Sequence, residues 1–196
     1  MKNSQKIKSK KEKLIDIKAI CCRCKLCSLH KYRTQSVFGF GNINADLVFV
    51  GEAPGADEDK QGKPFVGKAG KLLTKMIKAM GLSRKNVFIT NILKCRPPDN
   101  RTPNEFESKI CTSNFMNREI QLVKPKIIIT LGKTATNVVL QRKLDKPLSQ
   151  VRGKWYNIEG IWVMPTFHPA YLLRNANKKI EAWQDLKKVI NRMETL

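Results

Sequence analysis

The longest strand-like stretches of this chain are continuous apolar runs and not alternating ones. Asp46–Val50, Val87–Leu93 and Lys126–Leu131 are short, rich in Val, Ile and Leu, and bounded by polar or Gly-containing segments. Such runs suit strands buried on both faces of a parallel sheet. Between the first two the period changes. Ala69, Leu72, Leu73, Met76, Ile77 and Met80 recur at steps of three and four, one apolar stripe along a helix that Gly81 stops. Phe106, Ile110, Phe115, Ile120 and Leu122 repeat the helical spacing over Asn104–Leu122. Gly132 opens another helix to Leu140, and Ile180, Trp183, Leu186 and Ile190 mark a terminal one. Trp155–Ile158 and Ile161–Thr166 read as two strands about Glu159-Gly160, and Leu14, Ile17 and Ile20 predict a short helix. Tyr32–Asn44 reads as loop or edge structure, and Lys94–Pro103 as a Pro-punctuated loop. Strands alternating with helices predict an α/β fold, a mostly parallel central sheet covered on both faces. One domain over residues 1–196 is expected, with 1–13 a flexible basic N-terminus.

Two stretches resist explanation as packing. After the first strand come Gly51-Glu52-Ala53-Pro54-Gly55, then Ala56–Gly67, read as a loop with Asp57, Glu58, Asp59 and the isolated Phe65. In an open α/β sheet, ligands bind at loops leaving the carboxyl ends of strands. The second stretch is Thr166–Arg174, straight after the last apolar strand, carrying His168 and a pair of Leu that look exposed.

Charge narrows the partner. The chain has 38 Lys plus Arg against 16 Asp plus Glu, a formal +22 spread along its length, which favours a polyanion such as nucleic acid. The alternative is a Lys-rich proteome bias. No apolar run approaches the roughly 18 residues of a membrane span, and no secretory h-region follows the basic start. A cytoplasmic, nucleoid-associated protein in a reducing compartment is expected, so its 6 Cys point away from disulfides. Cys24 and Cys27 form a C-x2-C knuckle, and Cys95 and Cys111 follow across the Pro-rich loop. Four thiolates so placed can surround one soft-metal centre. Cys21 and Cys24 make a competing knuckle, Cys22 fits neither, and His30 leaves a Cys/His zinc site open.

In combination these pieces meet a known family. GEAPGADEDKQGKPFVGKAG at 51–70, TNILKCRPP at 90–98, VRGKWY at 151–156 and HPAYLLR at 168–174 resemble the iron–sulfur uracil-DNA glycosylases, family four. The resemblance implies a three-layer α/β/α sandwich acting as a monomer on uracil-containing DNA, single- or double-stranded. Such an enzyme is a monofunctional DNA glycosylase: it flips out uracil and hydrolyses the N-glycosidic bond, leaving an abasic site for base-excision repair. The resemblance also implies a structural 4Fe-4S cluster and no catalytic metal. The Cys order and the knuckle's distance to Arg33-Thr34 favour Cys24, Cys27, Cys95 and Cys111 as ligands. By the same correspondence Phe65 stacks on the flipped base, Asn91 faces its polar edge, and the backbone around Ala53 closes the pocket. His168 hydrogen-bonds uracil O2, Leu172 wedges into the stack, and Arg174 holds phosphate. Family-one enzymes carry Asp where this chain has Ala53. Glu52 is therefore the first candidate for the missing carboxylate and Glu58 the second. Two other readings compete: a metal-dependent nuclease or phosphohydrolase using Glu52, Asp57, Glu58 and Asp59, and a non-enzymatic zinc-knuckle DNA-binding module.

Overall fold

The computed structural model describes residues 8–196. In chain order the elements are α1 (Lys10–Cys22), β1 (Phe40–Gly41), β2 (Leu47–Gly51), α2 (Ala56–Gln61), α3 (Lys68–Ala79) and β3 (Phe88–Asn91). There follow α4 (Glu105–Cys111), a π-helical turn (Thr112–Met116), α5 (Asn117–Val123), β4 (Ile127–Leu131), α6 (Lys133–Val139) and α7 (Leu148–Val151). The chain ends with β5 (Tyr156–Ile158), β6 (Ile161–Thr166), α8 (Pro169–Arg174) and α9 (Lys179–Met193).

The strands form one sheet in the order β1-β3-β2-β4-β6-β5. The four central strands run parallel, and only the edge strands β1 and β5 are antiparallel. Successive strand residues face opposite sides. Val48, Val50, Phe88 and Ile128 pack under α1, α5 and α6. Leu47, Phe49, Ile89 and Ile129 pack under α3, α8 and α9. This is a three-layer α/β/α sandwich, and burial on both faces explains why the central strands read as unbroken apolar runs. Register then fixes the working edge. Gly51 pairs with Asn91 and Leu131 with Thr166, so four parallel strands end in one line. From β2 the chain moves to β3 on one side and later to β4 on the other. A cleft opens at that topological switch point.

Two expectations need correcting. The basic N-terminus is helical from Lys10, because Ser9 and Glu12 form a reciprocal capping box. Only residues 1–7 of the expected flexible segment lie outside the described residues. The loop 56–67 contains the short helix α2. It has no apolar stripe to betray it; Asp57, Glu58 and Asp59 sit in its first turn, where the helix dipole favours carboxylates, and Gly62 at φ 66° ends it. Among the described residues no helix is long and apolar enough to cross a membrane.

Candidate active site

The cleft, about 780 Å³, is walled by the segments that leave β2, β3, β4 and β6. Glu52, Ala53, Glu58, Phe65, Asn91, His168 and Arg174 all line it, so the sequence-predicted site residues outside the cysteines converge on one place, Leu172 excepted.

Phe65 and Asn91 approach each other because Gly51 stands between them. A Cβ at Gly51 would overlap both Asn91 Oδ1 and the Phe65 ring. Phe65 holds φ at 54°, a left-handed conformation that is costly for an aromatic residue and marks a built feature. Its backbone lies against Gly70 of α3, where any Cβ would strike the Phe65 carbonyl. Arg84, which the sequence reading passed over, locks this turn: Nη1 donates to the Phe65 carbonyl at 2.9 Å and Nη2 to the Pro64 carbonyl at 2.7 Å.

Asn91 is 2% exposed, and its Oδ1 is buried with no hydrogen-bond partner among the described residues. A buried, unpaired amide oxygen is expensive to keep, of the order of 1–3 kcal/mol, unless a ligand completes it.

His168 caps α8. Its Nδ1 accepts the Ala170 N–H at 3.1 Å, so in the neutral ring the proton resides on Nε2, which is left as a donor. Burial, reinforced by the nearby Arg174 charge, pushes the imidazole down from 6.5 to about 4, with Glu58 opposing the shift. The residue is still partly open to the cleft. The Phe65 and His168 rings lie 5.7 Å apart, tilted by 33°.

The carboxylates divide by role. Glu58 Oε1 accepts the Val66 and Gly67 N–H groups, both at 2.8 Å, and Oε2 accepts Gly55 N–H at 3.1 Å. Glu58 thus stitches the turn after β2 to the start of α3. Asp59 is 4% exposed and accepts the Thr34 N–H with both oxygens, at 3.0 and 3.1 Å. With these two committed to backbone, the acidic loop is a bracing element. Glu52 differs: half-buried in the cleft wall, its carboxylate has no hydrogen-bond or ion-pair partner among the described residues.

Leu172, the wedge implied by the resemblance, does not face solvent. It is 1% exposed and packed into the core beneath α8, whereas Leu173 stands 47% exposed. A six-residue helix following a capping His turns one of two adjacent Leu inward, and the pattern of so short an element could not say which. Leu172→Ala is expected to cost about 2–5 kcal/mol of stability. Leu173→Ala should leave the melting point alone; melting curves of the two variants check both. Exposed Lys133 and Arg174 set positive charge at the cleft mouth, whereas Arg101, also lining it, is paired with Glu107 through Nη1 at 2.9 Å and Nη2 at 2.6 Å; Lys133 and Arg101 were not singled out by pattern.

Beyond β3, Cys21, Cys24, Cys27, Cys95 and Cys111 line a second cavity with Leu26, Ile110 and Phe115. Cys22 is exposed and outside it. His30 is outside as well; its Nδ1–H donates to the Cys27 carbonyl at 2.7 Å. Arg33 binds the halves together, donating to Cys95 Sγ at 3.0 Å and to the Cys22 and Cys24 carbonyls at 2.8 and 3.1 Å. The Lys94 N–H points at Cys111 Sγ at 3.3 Å. Burial pushes the Cys21 thiol up to about 12 and raises Cys27, Cys95 and Cys111 as well. Several soft donors around an apolar hollow, two of them faced by N–H groups, suit a thiolate-ligated centre.

The model of the uracil DNA glycosylase superfamily matches residues 38–187. The chain belongs to this superfamily. Within it the chain is 46% identical over 185 residues to a type-4 uracil-DNA glycosylase of Sulfurisphaera tokodaii, covering 91% of this chain and 84% of the relative. A type-4 enzyme of Archaeoglobus fulgidus is 42% identical, covering 91% and 92%. A type-5 uracil-DNA glycosylase of Pyrobaculum aerophilum is more distant, at 30% identity with 81% of each chain covered. The likeness therefore runs to the type-4 glycosylases, and the cleft at the switch point lies inside the matched segment.

Proposed function

We propose that this chain is a uracil-DNA glycosylase of type 4, hydrolysing the N-glycosidic bond of uracil in DNA to start base-excision repair. The observation that carries the reading is the Asn91 Oδ1, unpaired among the described residues, in one cleft with the Phe65 ring and the His168 Nε2 donor. A base turned out of the stack is read on its polar edge and stacked on an aromatic face. Phe65 supplies the face. The Asn91 amide offers an acceptor and a donor, matching uracil N3–H and O4; cytosine presents the reverse pattern. As the bond breaks, negative charge grows on the base, and His168 Nε2–H donates to O2 without giving up its proton. The free Glu52 carboxylate faces the developing sugar cation and orients the attacking water, while Glu58 acts as a positioning residue. Leu173 takes the wedge role assigned by resemblance to Leu172, and Lys133 and Arg174 hold phosphates. Cys24, Cys27, Cys95 and Cys111 are the ligands of a 4Fe-4S cluster, with Cys21 an additional buried neighbour. Such a cluster supplies structural cross-linking of the knuckle to the loop after β3. One domain acts as a monomer. The nuclease alternative finds Glu58 and Asp59 already held by backbone N–H groups.

A single-uracil oligonucleotide incubated in EDTA tests the reading. The expected result is one cut at the uracil, seen only after hot alkali. A cut without alkali, or full inhibition by EDTA, would point to a nuclease.

Acidity supplies a further check. Above about pH 4 the folded protein keeps His168 neutral, so excision stays level through pH 6.5, where an ordinary His would titrate. The unfolded chain binds a proton below about 6.5 that the folded chain refuses until about 4. This contribution to stability is thus complete above pH 6.5 and shrinks as pH falls toward 4. Melting curves between pH 4 and 8, with and without His168, measure it.

A further inference from the structure

Lys94 is 1% exposed, flanked by Leu93 and Cys95, and forms an ion pair of 2.7 Å with Glu119, itself 0% exposed. Its ammonium uses all three donors: Thr90 Oγ1 at 2.5 Å, Glu119 Oε2 at 2.7 Å and the Asn91 carbonyl at 2.9 Å. Its main chain faces the cysteine cavity, with N–H toward Cys111 Sγ at 3.3 Å and Cys95 the next residue. One residue therefore touches both the cavity and the strand end that carries the base-reading amide.

Glu119 reaches this point through the π-helical turn. In an unbroken α-helix Cys111 and Glu119, eight positions apart, would sit about 80° apart around the axis. A π turn absorbs one residue and brings them within about 20° of one face. That face then presents Cys111 to the cavity and Glu119 to Lys94, and Glu119 Oε1 also accepts the Gly39 N–H at 2.8 Å. A buried ion pair is weak support for stability, because apolar side chains of the same volume fill such space as well or better. Its retention here needs another reason. Among the described residues the Asn91 Oδ1 has no partner to hold the amide, so the main chain sets its position. The Lys94 contact holds that main chain on its carbonyl side.

We infer that Lys94, steadied by Glu119, is a positioning residue that sets Asn91 against the base and links that setting to the cysteine cavity. The inference rests on the uracil-excising reading. It is tested with E119Q, which keeps the ammonium, and K94M/E119Q, which removes both charges together and so strands neither. Each purified protein is assayed for kcat and KM on a single-stranded uracil oligonucleotide, inhibition by free uracil, affinity for a uracil-free oligonucleotide, and visible absorbance per chain.

The expected result is E119Q within about threefold of the parent. K94M/E119Q should lose about tenfold or more in kcat and bind free uracil about tenfold more weakly, with DNA affinity and absorbance unchanged. Parental kcat and uracil inhibition in the double variant would overturn the inference. So would activity, DNA affinity and absorbance falling in step, which would make Lys94 a packing element alone. A parent protein that releases no uracil would overturn the underlying reading instead.

Discussion

Asn91→Leu lowers uracil release by roughly 30- to 1,000-fold while leaving the melting temperature equal or higher. The two halves of this expectation share one cause. Asn91 is buried with an Oδ1 unpaired among the described residues, so the free protein carries a desolvated acceptor that leucine, with the same branched four-atom skeleton, does not. With uracil in place that same amide makes two hydrogen bonds, and the one to O4 strengthens as the base gains negative charge. Losing them costs about 2–4 kcal/mol of transition-state binding, which is roughly 30- to 1,000-fold in rate. Single-turnover excision and thermal melting on one preparation check both signs. A variant that is destabilised and slowed together would mean Asn91 is a packing residue.

His168→Ala lowers kcat by about 10²–10³-fold with little change in affinity for uracil-free DNA, because a donor aimed at developing charge acts mainly in the transition state. The Nδ1 bond to Ala170 N–H orients the ring and caps α8, so about 1 kcal/mol of stability goes as well. That loss is too small to unfold an ordinary domain, so the rate effect is separable from it. The pH profile distinguishes this account from acid catalysis. An imidazolium acting as an acid would make the rate fall above pH 6.5, whereas a neutral Nε2–H donor keeps it level.

Much of this was legible in the chain. The central strands announce themselves as unbroken β-branched runs because both faces of the sheet are covered, and loops at their carboxyl ends are the natural place for Phe65, Asn91 and His168. The terminal helix and α3 follow from their stripes. What escaped has physical reasons. The helix α2 is polar all round and held by its dipole and Glu58, so periodicity is silent there. Leu172 and Leu173 are adjacent in a helix too short to show a face. Lys94 in isolation reads as a solvated cation; its burial depends on Glu119, twenty-five positions away and brought into phase by a π turn. Arg84 reads as loop charge, and only the fold shows it clamping the strained Phe65 turn. Long-range polar pairs leave no periodic trace, and the supports behind Phe65 and Asn91 are of that kind.

The central claim is that one cleft recognises uracil and releases it as a free base. Three oligonucleotides, identical except for uracil, cytosine or thymine at one position, are incubated with the protein in EDTA and the released bases quantified by mass spectrometry. The account predicts free uracil in step with abasic sites, an intact phosphodiester backbone, and no release of cytosine or thymine. Release of cytosine at a comparable rate, or of no base at all, would contradict it.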